Sequence, residues 1–169
     1  MKSMSKAAPA MLAALLVIAT PAHAAADDAQ FVQEMRDRVK IEQLMWDYVR
    51  AIDSFNADAY AKTFTPDGAF NSVTGSEALK KMVTDLKTDQ DARRAKGEQI
   101  PPMHHMMSNQ TIEFLSPDHA RVHYYWQTIF AGKSRIPPPR LAAAGRGVDD
   151  VVRVNGAWLI RHRNVAPEN

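Results

Sequence analysis

No cysteine occurs in the 169 residues, and that absence removes several kinds of chemistry at once. It excludes a disulfide framework, a thiolate nucleophile and any zinc site built on cysteine. Long apolar runs are missing as well. Met11–Ala19 (MLAALLVIA) has nine residues, against about 20 for a membrane-spanning helix. It follows Lys2 and Lys6 and precedes Ala22-His23-Ala24, a small-x-small triplet. A basic start, a short apolar run and such a triplet make a secretory leader. Residues 1–24 are therefore expected to be a cleaved signal peptide, cut near Ala24, and residues 25–169 a single periplasmic or secreted domain. With no disulfides, the stability of that domain has to come from packing.

Excess charge of one sign is also lacking. The formal charge of +2 rests on Lys2 and Lys6: without them, the remainder of the 21 basic residues matches the 19 acidic ones. A neutral surface gives no electrostatic reason to expect nucleic acid, whose binding depends on basic clusters. No membrane partner is expected once the leader is gone. There is no GxSxG, no glycine-rich phosphate loop, no HExxH and no internal repeat. His119 and His123 are four apart, about 13 Å along a strand, too far to share one ion. Neither a metal nor another cofactor is expected.

What is present has clear periodicity. Over residues 31–53, Ile41, Leu44, Met45, Tyr48 and Ile52 recur at three- and four-residue steps and predict one amphipathic helix. Asn56 reads as the N-cap of a short second helix, ADAYAKTF. Thr65-Pro66-Asp67-Gly68 reads as a turn before a short strand, AFNSV. Ser76 reads as the cap of a third helix, EALKKMVTDLK. Two long loops are expected, over 85–102 and 131–144. The second half is strand-like: TIEFLS, then ARVHYYWQTIF, then VDDVVRV and AWLIRHRNV joined by Asn155-Gly156, a strong hairpin signal. Helices first and an antiparallel meander afterwards predict an α+β fold, with helices packed on one face of a curved sheet. Such a sheet with a long helix across it encloses a cone-shaped space suited to a ligand.

Few residues in this frame could carry chemistry. Asp53 ends the first helix, where the backbone dipole disfavours a carboxylate by about 0.3–1 kcal/mol unless something compensates. It lies at the edge of the apolar stripe, and its plain alternative is a loop aspartate bonding nearby amides. His104 and His105 precede a strand. In an unbroken strand His104 shares a face with Ile112 and Phe114, while His105 shares one with Asn109, Thr111 and Glu113. One bulged residue would exchange the faces, so alternation leaves both histidines open. Tyr124, Tyr125 and Trp126 are core on one face and could line a cavity on the other. Methionines, Met107 among them, suit the same wall.

Three segments carry a resemblance: IEQLMWDYVRAIDSFNADAYAKTFTPDGAF, HHMMSNQTIEFLSPDHARV and GRGVDDVVRVNGAWLIRHR. Together they resemble the SnoaL-like branch of the nuclear transport factor 2 (NTF2-like) superfamily. They match its first helix with a terminal aspartate, its His-x-x-x-Asn entry to a strand and its final hairpin with Gly-x-Trp. The resemblance implies a curved antiparallel sheet wrapped around a long N-terminal helix and two shorter ones. Within the superfamily the segments are similar to the scytalone dehydratase, hexachlorocyclohexane dehydrochlorinase and bile-acid dehydratase group, cofactor-free lyases with a His–Asp dyad. Carried over, the dyad is Asp53 and His105, with Tyr48 and Arg163 as further catalytic residues. Asn109 is the strand asparagine, and His104, Met107, Tyr124 and Trp126 join it as substrate contacts. Gly147 departs from the pattern, standing where many members have an aromatic residue. The implied function is elimination of water, halide or formaldehyde from a small apolar cyclic or aromatic compound. The alternatives are an isomerase using the same dyad and a non-catalytic small-molecule-binding protein. The resemblance also implies a homodimer or homotrimer.

Overall fold

The computed structural model describes residues 21–132 and 138–166. The apolar run of the expected leader lies outside them. The chain divides into two units, one ending at Met35 and one beginning at Arg36. The described part of the first is a stretch of helix whose Phe31, Val32 and Met35 are exposed. Everything below concerns the second unit. No helix among the described residues is long and apolar enough to cross a membrane.

Among the described residues, three helices and six strands follow one another as α1 (Pro21–Asp53), α2 (Ala57–Lys62), β1 (Phe64–Phe70), β2 (Val73–Thr74), α3 (Ser76–Ala95), β3 (Met103–Ser116), β4 (His119–Phe130), β5 (Arg140–Val154) and β6 (Ala157–Asn164). The strands make one curved, unclosed sheet in the order β2-β1-β6-β5-β4-β3. Its neighbours pair antiparallel except β1 and β6, which run parallel, so the sheet is mixed where a meander was expected. The predicted apolar stripe of α1 is buried throughout. It packs into one core with Ile112, Val122, Tyr124, Val151, Trp158 and Ile160 from the sheet. Beside it, Asp37 continues the same stripe and is buried by Arg153 and Trp158.

Local signals behaved unequally. Asn56 caps α2 as expected, its side chain accepting the Ala59 amide at 3.0 Å. Asn155 and Gly156 both take positive φ between β5 and β6, the geometry a two-residue hairpin turn requires. The Thr65–Gly68 turn is corrected: these residues are an irregular stretch inside β1. Gly68 is needed for close approach, since a Cβ there would meet the Ile160 carbonyl at 2.9 Å. The tight turn comes instead at Asn71, with φ 48. Gly75, at φ 90, occupies the N-cap of α3 expected at Ser76, whose hydroxyl donates to the Pro66 carbonyl. The two expected loops are shorter than read. Exposed pairs such as Lys81–Asp85 and Lys87–Asp91 support a polar continuation of α3 to Ala95. On the other side, β5 already begins at Arg140.

Candidate active site

Two β-bulges decide which side chains meet under α1. In β3, Met103, His105 and Met107 point inward, and so do Ile112 and Phe114. Met107 and Ile112 lie an odd step of five positions apart, so an unbroken strand could not bury both sets. The register shifts between Ser108 and Thr111, where Asn109 and Gln110 oppose the single residue Tyr124. Asn109 takes φ 52, a left-handed conformation that asparagine tolerates better than most residues. In β6 the same problem recurs. Trp158, Ile160 and Arg163 are all buried, and a register shift at Asp150/Val151 skips Arg161 and turns Arg163 inward.

The first bulge brings His105 to Asp53. The ring Nδ1 lies 2.7 Å from Asp53 Oδ1, and the His105 backbone N–H donates to both carboxylate oxygens at 3.1 Å. These donors compensate the carboxylate at the negative end of α1. Asp53 does bond an amide, but one 52 positions away. A carboxylate only accepts, so Nδ1 carries the hydrogen, and in a neutral ring the lone pair is then on Nε2. Both side chains are about one-fifth exposed.

His105 borders a cavity of about 240 Å³ lined also by Tyr48, Phe70, Met107, Tyr124, Trp126 and Arg163. A larger concavity, about 610 Å³, runs along another face of α1 past Gln43, Asp47, Arg50 and Lys62. It touches none of the residues expected to be catalytic or to contact substrate, so the smaller space is the candidate site.

The second bulge delivers Arg163 to the cavity wall, where its side chain is 1% exposed. Its Nε donates to the Tyr124 hydroxyl at 2.8 Å, and that hydroxyl donates to Asp149 Oδ1 at 2.8 Å. Nη2 lies 3.0 Å from Asp149 Oδ2, an ion pair whose angles fall short of a hydrogen bond, and 3.2 Å from Met107 Sδ. The guanidinium sits on the Tyr48 ring, 3.6 Å from its centroid. Nη1 has no acceptor among the described residues.

Burial acts differently on the two charges. It pushes the Asp149 carboxyl up to about 6, although Arg163 and the Tyr124 hydroxyl pull it down. For Arg163 burial favours the neutral form, but Asp149, Tyr48 and Tyr124 outweigh it and the net shift is upward. At the carboxyl burial outweighs pairing, and at the guanidinium pairing outweighs burial. At neutral pH both residues are nonetheless charged, because about 6 still lies below neutrality and arginine does not deprotonate in proteins. Burial likewise raises the Tyr48 hydroxyl, against the pull of Arg163, and keeps it a proton donor.

Asp149 has a consequence for stability. Its folded pKa stands above the ordinary 3.8, so the folded chain holds this proton more tightly than the unfolded chain between the two values. That contribution is complete below about pH 4 and is lost as the pH rises through about 6. Asp149→Asn removes the titration. The melting temperature of the variant, measured against wild type by calorimetry, is expected to improve on going from pH 4 to pH 7. A difference independent of pH would refute this.

Two expected contacts are corrected. His104 points outward, exposed, with its ring Nε2 3.2 Å from the Ala131 carbonyl, because the bulge gives the inner face to its neighbour. Asn109 is exposed too and acts through its backbone at the bulge, not through a side chain in the cavity. Tyr48, His105, Met107, Tyr124, Trp126 and Arg163 do line the space. Asp149 was missed. Its signal was available: it alternates with Gly147 and Val151, which places an acid on a buried strand face. Gly147 has its reason here as well. A Cβ would fall 2.3 Å from the Tyr124 ring, so the ring lies across β5 where a side chain at 147 would stand. Trp126 packs over Gly145 in the same way, at 3.0 Å. Among the described residues no cluster of His, Asp or Glu able to hold a metal comes together.

The SnoaL-like domain family matches residues 33–164, most of the chain, and the chain belongs to that family. Comparison with curated proteins finds no match. Similar solved structures include three from Novosphingobium aromaticivorans. A provisionally assigned scytalone dehydratase is 24% identical, with a TM-score of 0.62 over 79% of this chain and 85% of its own. An NTF2-like protein of cystatin-like fold is 19% identical, with a TM-score of 0.63 over 80% and 84%. A provisionally assigned aromatic ring hydroxylase is 21% identical, with a TM-score of 0.60 over 76% and 87%. Likeness at these identities defines the fold, which is the NTF2-like one.

Proposed function

We propose that the protein is a cofactor-independent lyase that eliminates water, halide or formaldehyde from a small cyclic or aromatic compound. The observation carrying this reading is the 2.7 Å contact between Asp53 and His105 at the edge of an apolar cavity. Asp53 fixes the tautomer and stabilises the imidazolium once it forms. His105 Nε2 takes a proton from the carbon next to an activating group. For water or hydrogen halide, the electrons of that C–H bond form the new double bond as the bond to hydroxide or halide breaks; for formaldehyde the proton comes instead from a hydroxymethyl O–H, whose electrons form the C=O as the C–C bond breaks and leaves its pair on the activated carbon. The imidazolium then returns the proton to a departing hydroxide or other base. Tyr48 donates a hydrogen bond to a carbonyl or leaving oxygen, and Arg163 steadies the negative charge that develops.

Size narrows the substrate. A cavity near 150 Å³ holds benzene, whereas drug-sized ligands fill about 300–1,000 Å³. A space of about 240 Å³ fits one substituted ring or two fused ones. Membership in the SnoaL-like family supports the reading, and so does a structural neighbour carrying the name of a dehydratase. Incubation with a library of hydroxylated and halogenated mono- and bicyclic compounds tests it. The expected outcome is a product lighter by the mass of water, hydrogen halide or formaldehyde. Saturable binding across the library with no such product would replace the lyase with a binding protein.

A further inference from the structure

From Arg36 onward α1 carries a second apolar face. At about 100° per residue from Val39, the buried Ile41, Leu44, Tyr48 and Ile52 lie on the far side of the helix. Glu42, Trp46 and Arg50 lie within about 60° of Val39 instead, and all four are exposed. Val39 is 64% exposed and Trp46 57%. Beside Trp46, the exposed Met106 of β3 helps to line a groove of about 290 Å³, together with Glu42, Met45, Val49 and Met107. Single exposed apolar side chains are ordinary, but an exposed indole and thioether sharing one groove mark a contact surface.

The charges on this face say what fits it. Glu42 and Arg50 stand four residues before and after Trp46. Neither side chain has an ion-pair partner among the described residues, and Arg50 only lies over the Trp46 ring, 5.9 Å from its centroid. A two-fold axis through Trp46 lays a second α1 antiparallel to the first, and positions 42 and 50 then face each other across it. Each Glu42 meets the other copy's Arg50, so opposite charges pair twice while the two indoles pack at the axis. A parallel arrangement would set acid on acid and base on base. A foreign protein has no need of an acid and a base evenly spaced about one aromatic residue, and an anionic membrane would repel Glu42. The pattern is complementary to itself.

We propose that the protein forms an isologous homodimer along the outer face of α1, with Trp46 on the two-fold axis and Glu42 and Arg50 paired reciprocally. A cyclic trimer has no two-fold axis on which to make this contact, so the surface selects the dimer from the two states that the family resemblance implies. The proposal is independent of any reaction in the cavity.

Sedimentation equilibrium over about a hundredfold range of concentration is expected to show monomers in exchange with dimers. Glu42→Arg sets arginine against arginine at both ends of the contact and is expected to weaken the dimer at least about tenfold. Glu42→Arg combined with Arg50→Glu restores opposite signs and is expected to bring the dissociation constant back to within about threefold of wild type. Both positions are exposed, so the melting temperature of each variant should stay within a few degrees of wild type. A second measurement needs only the wild-type protein: acrylamide quenching of its tryptophan fluorescence should fall as the dimer forms, because Trp46 is exposed and Trp158 already buried. A monomer at every concentration would leave the stripe to a foreign partner and overturn the proposal. A trimer, a dimer indifferent to Glu42→Arg, a folded double variant that stays monomeric, or quenching unchanged by association would overturn it too, since each places the contact on another face.

Discussion

His105→Ala is expected to abolish turnover of any substrate found by the product screen while shifting the melting temperature by no more than a few degrees. The two halves of this outcome have separate causes. General acid–base catalysis contributes about 10²–10⁴ in rate, and here one imidazole both takes and returns the proton, so its loss removes both transfers. The ring is only about four-fifths buried, on the rim of a space that is already open, so its removal leaves little new void. Asp53→Asn is the sharper test. An asparagine still accepts the His105 backbone N–H, but its amide nitrogen can turn toward the ring and donate to Nδ1. That places the ring hydrogen on Nε2, where the base needs a lone pair, and a loss of about a hundredfold or more is expected. Nitrogen NMR of the imidazole reads the tautomer directly and needs no substrate. A wild-type ring protonated on Nε2 would contradict the arrangement before any assay is run.

Asp37→Ala should cost about 3 kcal/mol of stability. Asp37 is 3% exposed and accepts from Arg153 Nη1 and Nη2 at 2.9 and 2.6 Å, and from Trp158 Nε1 at 3.1 Å. Alanine leaves the indole N–H and part of the guanidinium buried without that acceptor. Asp118 and the Pro117 carbonyl still hold Arg153 at the other side, which keeps the cost toward the lower end. Domains of this size have total stabilities of about 5–15 kcal/mol, so the midpoint of urea denaturation should fall visibly. Lys81→Ala is the control. Its pair with Asp85 is exposed on both sides and should contribute under about 1 kcal/mol. A loss for Asp37→Ala no larger than for Lys81→Ala would show that the cluster does not pin α1 to the hairpin.

Elements differ in how far the sequence alone revealed them. The stripe from Ile41 to Ile52, the Asn56 cap and the Asn155-Gly156 turn are local, each specified by residues within a few positions of one another. The same holds for the strand-rich second half, where β-branched and aromatic residues dominate ARVHYYWQTIF. The Thr65–Gly68 stretch misled because Pro-Asp-Gly suits a turn equally well in isolation. Only the parallel partner β6 shows that Gly68 serves a close backbone approach. The ends of α3 and the start of β5 misled for a related reason. The continuation of α3 lacks an apolar stripe and shows only exposed i,i+4 ion pairs, while the alanines of β5 favour helix until pairing with β4 overrides them. Asp37 and Asp149 were legible in principle, since each sits on the buried phase of its own periodicity.

From the sequence by itself came the helix stripe, the α+β order, the hairpin and the short list of residues able to move a proton. The tertiary structure alone decided which of those residues face one another. Side chains on a strand alternate with a period of two, so one extra residue reverses every side chain beyond it. The bulge at Asn109 turns His105 inward in place of His104, and the one at Arg161 turns Arg163 inward beneath Tyr48. Neither follows from spacing within its own strand, because a bulge is set by pairing with β4 in the first case and β5 in the second.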